Sequence, residues 1–172
     1  MRPALLLALA LVSGACDAQA NRSDNRAASA PVAASGRVVD RANLIPADDE
    51  AALEVSLAAV ERDAGPQFVV VTVPSLGGRS IEDFGVALGR QWGIGHARRN
   101  DGVLLIVAPN ERKVRIEVGY GLEASLKDER CAEIIQRDIL PRFRESDFVG
   151  GIEAGAASII ERLRASPTRD GA

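Results

Sequence analysis

The stretch VGYGLEASLKDER, Val118 to Arg130, holds two carboxylates in a short crossover. It begins as the end of a predicted strand and finishes as the start of a predicted helix, and two glycines loosen the backbone between them. Its acids, Glu123 and Asp128, supply the oxygen ligands that hard cations such as Ca²⁺ and Mg²⁺ prefer. The crossover is therefore a candidate ion site. In the alternative interpretation the crossover is only a turn and the start of a helix, and the negative charge of Asp128 stabilises the helix through its dipole.

A predicted β-hairpin brings more polar groups to this crossover. The segment 102–108 is a continuous apolar run, and 113–118 alternates between apolar and charged residues after a short turn. Antiparallel pairing places the start of the first strand beside the end of the second, so Asn100 and Asp101 should lie near Glu123. The sequence thus predicts that three acids and one amide converge at one edge of a sheet, although Asn-Asp-Gly is also an ordinary turn composition.

The elements that must position these residues alternate between strands and helices. Phe68 to Val73 is a β-branched run typical of a strand covered on both faces. Ser80 is a predicted helix N-cap, and Pro141 is predicted to break the third helix. The inward-facing helix positions are predicted to be Leu53, Leu57, Val60 and Ala64; Ile81, Phe84 and Leu88; Cys131, Ile134, Ile135 and Ile139; and Phe148, Ile152, Ala156, Ile159 and Leu163. This order predicts an α/β fold: a three-layer α/β/α sandwich with a mixed central sheet, Rossmann-like.

The other sequence motifs give weaker evidence for a functional site. His96 is the only histidine, so no histidine-based metal cluster or triad can be assembled, and a solvated loop residue is expected. Gly93 and Gly95 precede a strand, unlike a dinucleotide fingerprint. The loop Ser75 to Gly78 lacks the lysine of a phosphate loop. Cys131 and Arg137 have the spacing of cysteine phosphatases, but a helix without glycine separates them, so Cys131 is expected in the core.

Composition narrows the classes of function. The chain has 172 residues, room for one domain, with a net charge of −3 and 3% aromatic residues. Its basic residues are scattered and it has one Trp and one Tyr, so a nucleic-acid partner is not expected. No nucleotide cofactor is expected either. The core must be built from Val, Ile, Leu and Ala.

The first twenty residues have the pattern of a secretory signal. One positive charge precedes an apolar run from Ala4 to Val12, which is too short to span a bilayer. Ser13 to Cys16 resembles a bacterial lipobox, although lipoboxes usually carry Leu or another aliphatic residue where Ser13 stands. Cys16 would then be lipidated. The alternative is an A-x-A cleavage site ending at Ala20, which would release a soluble periplasmic protein.

The predicted organisation follows from these features. Residues 1–16 are a lipoprotein-type signal peptide, or 1–20 if cleavage follows Ala20; 17–36 form a flexible linker; 37–164 form the folded domain; and 165–172 form a disordered tail. Export without a disulfide is expected, because a lipidated Cys16 would leave Cys131 without a partner. The expected location is the periplasmic face of a bacterial membrane.

The segments ANLIPADDEAAL, VVVTVPSLGGRSIEDFGVALGRQWGIG and NDGVLLIVAPNERKVRIEVGYGLE, with the Asp128 that follows, resemble the TPM domain family. That family includes a thylakoid lumen protein of photosystem II repair and many bacterial envelope proteins. The resemblance runs from Val38 to about Leu163, and its most specific part is the hairpin with GYGLE. It implies an α/β/α sandwich with an acidic groove that binds divalent ions, often calcium, in some members. It also adds Asp40 to Asp101, Glu123 and Asp128 as a candidate ligand.

Two functions are expected from this resemblance. The first is an exported, lipid-anchored accessory module that binds Ca²⁺, or Mg²⁺ or another divalent cation, together with a membrane-protein partner. The second is a metal-dependent acid phosphatase, as one plant member has been described, with Glu123 or Asp128 as base. Its best phosphate contacts would be Arg98 and Arg99, although these could equally be solvated loop charges. The sequence assigns no nucleophile. The chain also lacks the C-terminal transmembrane helix and Gly-rich tail of many bacterial members, and an N-terminal lipid would replace that anchor.

Overall fold

A four-stranded mixed sheet forms the centre of the fold. The computed structural model describes residues 36–168. The strands are β1 (Val38–Asp40), β2 (Gln67–Thr72), β3 (Gly102–Ala108) and β4 (Lys113–Val118), in the order β1-β2-β3-β4. The first three are mutually parallel and β4 is antiparallel to β3. The predicted mixed sheet is confirmed.

Helices cover both faces of this sheet. They are α1 (Ala47–Ala64), α2 (Ile81–Trp92), α3 (Asp128–Ile134), α4 (Leu140–Arg144) and α5 (Phe148–Ala165). The buried residues of α1, α3 and α5 share one hydrophobic cluster with one face of the sheet, and those of α2 share another cluster with the opposite face. The structure is therefore the predicted α/β/α sandwich.

Strand β3, in the middle of the sheet, shows why both faces of the sheet must be covered. Every residue of β3 is buried, and consecutive side chains point to opposite faces of a sheet. Leu105 accordingly belongs to the cluster under α1 and α5, whereas Leu104 and Ile106 belong to the cluster under α2. A strand that is apolar at every position can be stable only between two helical layers.

Most of the local helix signals behave as predicted. The Ser80 hydroxyl accepts a hydrogen bond from the backbone N–H of Asp83 at 3.0 Å, which caps α2. The predicted stripe of α1 is buried. On α5 the predicted positions Ile152, Ala156, Ile159 and Leu163 are buried, while Phe148 is half-buried.

The predicted break at Pro141 is wrong. The chain continues from α3 through a π-helical turn, Ile135–Ile139, directly into α4. Pro141 occupies the first turn of α4, where its missing N–H costs little. The wider π-helical turn resets the hydrogen-bonding pattern just before the proline, so the helical path survives it.

The last helix ends one residue beyond the predicted domain boundary at residue 164. α5 ends at Ala165, and the backbone N–H of Thr168 donates to the carbonyl of Ala64 at 3.0 Å. The described residues therefore include the first four of the predicted tail, 165–168, and residues 169–172 lie outside them. Within 36–168 no helix combines the length and apolar character needed to cross a membrane. The signal peptide, the lipidation of Cys16 and the linker up to residue 35 lie outside the described residues.

Candidate functional site

The hairpin and the GYGLE crossover meet as the sequence predicts. Val118 lies opposite Val103 in the antiparallel register. Beyond the strands, Gly119 donates its N–H to the Gly102 carbonyl at 2.8 Å, and Gly121 donates to the Asn100 carbonyl at 3.0 Å. The chain before β3 therefore lies directly against the chain after β4.

The glycines of the crossover are required by this close approach. A Cβ atom on Gly119 would lie 2.1 Å from the Asn100 carbonyl oxygen, and one on Gly121 would lie 1.8 Å from that of Arg99. Both distances are far shorter than any van der Waals contact. Asn100 itself has a left-handed backbone with φ of 50°. Side chains larger than hydrogen would force the two segments apart.

An open groove of about 820 Å³ lies beside β4 at this end of the sheet. One wall is α2, where Gly85, Gly89 and the following Gly93 present no side chain. The other wall is the crossover and the start of α3. Tyr120 lies at the groove with 81% of its surface exposed.

Three of the predicted ligands line the groove. Glu123 and Asp128 are exposed acids at the end of the 3₁₀ turn Tyr120–Leu122 and at the first position of α3. Asn100 lines the groove with them. Among the described residues, none of these three side chains forms a hydrogen bond or an ion pair. They are free to contact a ligand.

Asp101 is not part of the groove lining. It is fully buried, and its Oδ1 accepts from the backbone N–H of His96 at 2.8 Å and contacts His96 Nδ1 at 2.9 Å. Its Oδ2 accepts from Arg99 Nε at 2.7 Å and from the Thr168 hydroxyl at 3.0 Å. Burial alone would raise the pKa of Asp101, but these donors outweigh it and lower that pKa to about 2. This corrects the expected convergence, because the Asp101 carboxylate is already used by the fold.

The structure does not bring Asp40 to the groove. Asp40 ends β1 and lies opposite Thr72, which in turn lies opposite Val107 near the far end of β3. Its carboxylate accepts from the backbone N–H of Ile45 at 2.8 Å and from the Thr72 hydroxyl. Because the groove adjoins Gly102, at the beginning of β3, the parallel register separates Asp40 from it by the length of the sheet.

His96 is an exposed loop residue, as expected, but it is not fully solvated. Its ring contacts the buried Asp101 carboxylate, and 42% of its side chain remains exposed. It also lines the groove. Glu117 and Glu129 are further groove acids that the sequence analysis missed, and Glu117 pairs with Arg115 at 2.6 Å. The alternation of β4 could have indicated Glu117, since it places Arg115 and Glu117 on the same face.

The expectation of a buried, structural Cys131 is confirmed. The thiol lies 3.7 Å from the Leu126 carbonyl, and burial, followed by the nearby Asp128 charge, raises its pKa to about 11. Arg137 is exposed and pairs with Glu133 at 2.7 Å. A buried protonated thiol, with Arg137 exposed and paired to Glu133, is not arranged as a phosphatase nucleophile.

The donors in the groove fit a hard cation by chemistry but are not assembled into a finished cage. Amide and carboxylate oxygens suit Ca²⁺ or Mg²⁺. In residues 36–168, however, no three His, Cys, Asp or Glu side chains lie close enough together to hold a metal ion. An ion in the groove would need water or a partner to complete its coordination.

Solved structures share this fold. The N-terminal domain of a protein from P. gingivalis is 35% identical, with a TM-score of 0.73, over 80% of this chain and 88% of that chain. The N-terminal domain of a protein from Corynebacterium glutamicum is 18% identical, with a TM-score of 0.60, over 84% of this chain and 88% of that chain. The BA42 protein of the psychrophilic bacterium Bizionia argentinensis is 17% identical, with a TM-score of 0.61, over 73% of this chain and 86% of that chain. No curated protein matches the chain.

The family assignment rests on most of the chain. Residues 38–162 match the TPM domain, from the start of β1 into the last helical turns of α5. This range includes the hairpin, the glycine crossover and the groove. The chain belongs to the TPM domain family.

Proposed function

We propose that this TPM domain is a binding module whose groove takes up a divalent cation, Ca²⁺, together with a membrane-protein partner. The observation that carries the proposal is the groove itself, where Asn100, Glu123 and Asp128 present oxygen atoms that have no hydrogen-bond or ion-pair partner among residues 36–168. Water commonly completes the coordination of Ca²⁺ and Mg²⁺. The exposed Tyr120 beside these oxygens favours a protein partner, since tyrosine is enriched at interface hot spots.

The phosphatase alternative has less support from the described residues. Arg99, one of the two arginines expected to contact phosphate, donates to the buried Asp101 and to the Gly65 carbonyl. Cys131 is buried and protonated. Only the exposed Arg98 remains from the phosphate contacts expected from the sequence.

The cation is tested by thermal unfolding of the chelator-stripped full chain during titration with Ca²⁺ and with Mg²⁺. Ligand at about 100 times its dissociation constant adds roughly 2.7 kcal/mol, which raises Tm by about 5–10 °C. Glu123→Gln and Asp128→Asn should lose that rise, because each removes a groove carboxylate.

Asp48→Asn is the matched control. Asp48 is also an exposed acid in the first turn of a helix, but it lies in α1 and does not line the groove. This variant should keep the full rise in Tm. A flat response of the wild type up to millimolar ion would overturn the cation proposal. Saturable hydrolysis of p-nitrophenyl phosphate that Glu123→Gln abolishes would replace it with the phosphatase.

We also propose that the module is exported and held at the periplasmic face of the membrane by a lipid on Cys16. The support is the lipobox-like sequence Ser13 to Cys16. Mass spectrometry of the mature protein tests this. A lipid-modified N-terminal Cys16 is expected, and an unmodified N-terminus at Asn21 would show a soluble periplasmic protein instead.

A further inference from the structure

A second pocket lies at the opposite end of the sheet from the groove. It has a volume of about 500 Å³, within the usual range of small-ligand sites. It is bounded by the end of β3, the turn into β4, and the α4–α5 connection. Ligands of open α/β sheets commonly bind at the carboxyl ends of parallel strands, which is where β3 ends here.

The floor of this pocket is apolar. Its apolar lining consists of Val107, Ala108, Val114, Leu140, Phe143 and Phe148. The rings of Phe143 and Phe148 lie 5.1 Å apart between centroids, tilted by 51°. Phe143 also packs against the main core, so this wall is held in place by the fold. Such a floor favours an alkyl chain or an aromatic ring.

Three cations line the same pocket and no carboxylate does. They are Arg112, Lys113 and Arg144, all exposed. None forms an ion pair within the described part of the chain, and Lys113 interacts with Glu111 only at longer range. This clustering occurs in a chain whose net charge is −3. An anionic group would find complementary charge here.

The helix dipole accounts for only one of these three cations. Arg144 lies in the last turn of α4, where a cation favours the helix dipole, but Arg112 and Lys113 lie on the hairpin turn and at the start of β4. Arg112 also has a left-handed backbone, with φ of 53°, where glycine or asparagine would cost less. The hairpin turn sets this backbone, and the exposed Arg112 side chain is placed where it can meet an anionic ligand.

We infer that this pocket binds a single-chain anionic amphiphile, with its apolar part against Leu140 and Phe143 and its anionic head among Arg112, Lys113 and Arg144. A free carboxylate such as a fatty acid has this chemistry. Its volume of about 500 Å³ matches a ligand with one alkyl chain. This site is independent of the cation groove, which adjoins the other end of β3 and β4.

The test is calorimetric titration of the full chain with decanoate below its micelle concentration, with amide NMR shifts to locate the site. Saturable binding is expected, with the largest shifts at Leu140, Phe143 and Phe148. Decyltrimethylammonium, which has the same chain and the opposite charge, should not bind saturably. Equal binding of both amphiphiles, or the absence of saturable shifts in these residues, would overturn the inference.

Charge-removing variants and a matched control distinguish a loss of binding charge from a loss of folding. The double variant Arg112→Gln/Arg144→Gln should weaken decanoate binding at least about tenfold, because it removes two charged hydrogen-bond donors. Arg162→Gln/Arg164→Gln makes the same change in net charge on the exposed end of α5 and should leave affinity within about twofold. Arg112→Lys/Arg144→Lys should retain binding. An equal loss in the control pair would contradict the site.

Two further arms complete the test. Glu123→Gln should leave decanoate affinity unchanged, so that failure of the cation groove and failure of this pocket remain distinguishable. Vesicles of phosphatidylcholine with phosphatidylglycerol provide the membrane arm. Binding to these vesicles without binding to decanoate would overturn the single-chain ligand.

Discussion

The Asp101 carboxylate joins two separate parts of the chain. It accepts hydrogen bonds from the 96–99 loop and from Thr168, a residue 67 positions away. A fully buried carboxylate is stable only when such donors replace its lost water. At the residue scale, Asp101 is therefore an anchor that positions Asn100 at the groove.

The first prediction concerns Asp101→Asn. Loss of the charged contacts to Arg99 and His96 should lower the free energy of unfolding by about 2–4 kcal/mol at pH 7, measured by urea denaturation. Glu123→Gln should stay within about 0.5 kcal/mol of wild type, because Glu123 is exposed and makes no hydrogen bond in the described structure. An equal loss in both variants would contradict the anchor role.

The same variant has a defined pH signature. The pKa of Asp101 is lowered from 3.8 to about 2 in the folded state, so its stabilisation is complete above the unfolded value and is lost as pH falls through the folded value. The stability gap between wild type and Asp101→Asn should therefore shrink by about 2 kcal/mol from pH 5 to pH 2. A constant gap across that range would show that the charge of Asp101 is not what stabilises the fold.

At the scale of elements, the groove depends on how closely the crossover lies on the chain before β3. The Gly121 N–H bonds to the Asn100 carbonyl, and the space above Gly121 is filled by the Arg99 carbonyl. The hairpin alone sets the pairing of β3 and β4. The glycines then allow the turn after β4 to lie against the chain that precedes β3.

The second prediction compares two glycines. Gly121→Ala should destabilise the chain by at least about 2 kcal/mol, because its Cβ would meet a backbone carbonyl that cannot rotate away. Gly93→Ala should cost only about 1–2 kcal/mol, since Gly93 has a positive φ of 62° but open space around it. Urea denaturation measures both. A smaller loss for Gly121→Ala than for Gly93→Ala would refute the crowding argument.

At the scale of the whole molecule, the residues that follow α5 contact the middle of the chain. Thr168 bonds through its N–H to Ala64, at the end of α1, and through its hydroxyl to Asp101, before β3. The end of α5 is thereby tied to the same loop cluster that supports the groove.

The third prediction tests this contact by Thr168→Val, which keeps the shape and removes the hydroxyl. Stability should fall by about 1–2 kcal/mol, and Thr168→Ser should restore most of it. In a double-mutant cycle with Asp101→Asn, the two losses should fail to add by at least about 0.5 kcal/mol, because they remove the same contact. Additive losses would place Thr168 outside the Asp101 network.

The sequence by itself determined strands β2, β3 and β4, helices α1, α2, α3 and α5, and the hairpin, but not the short strand β1 or helix α4. These follow from periodicity and from turn residues, which act over a few positions, so β3, the Ser80 cap and the approach of Asn100 to GYGLE could all be predicted. The course of the chain past Pro141 could not, because the π-helical turn that accommodates the proline has no clear local signal.

Only the tertiary structure decided which polar side chains face the groove. Whether Asp101 points to a ligand or into the protein depends on Arg99 and on the distant Thr168, contacts that no local pattern encodes. Asp40 lies at the far end of the sheet because the parallel register fixes its distance from the start of β3. Residue type therefore indicated the chemistry of the donors, while long-range packing selected Asn100, Glu123 and Asp128 from among them.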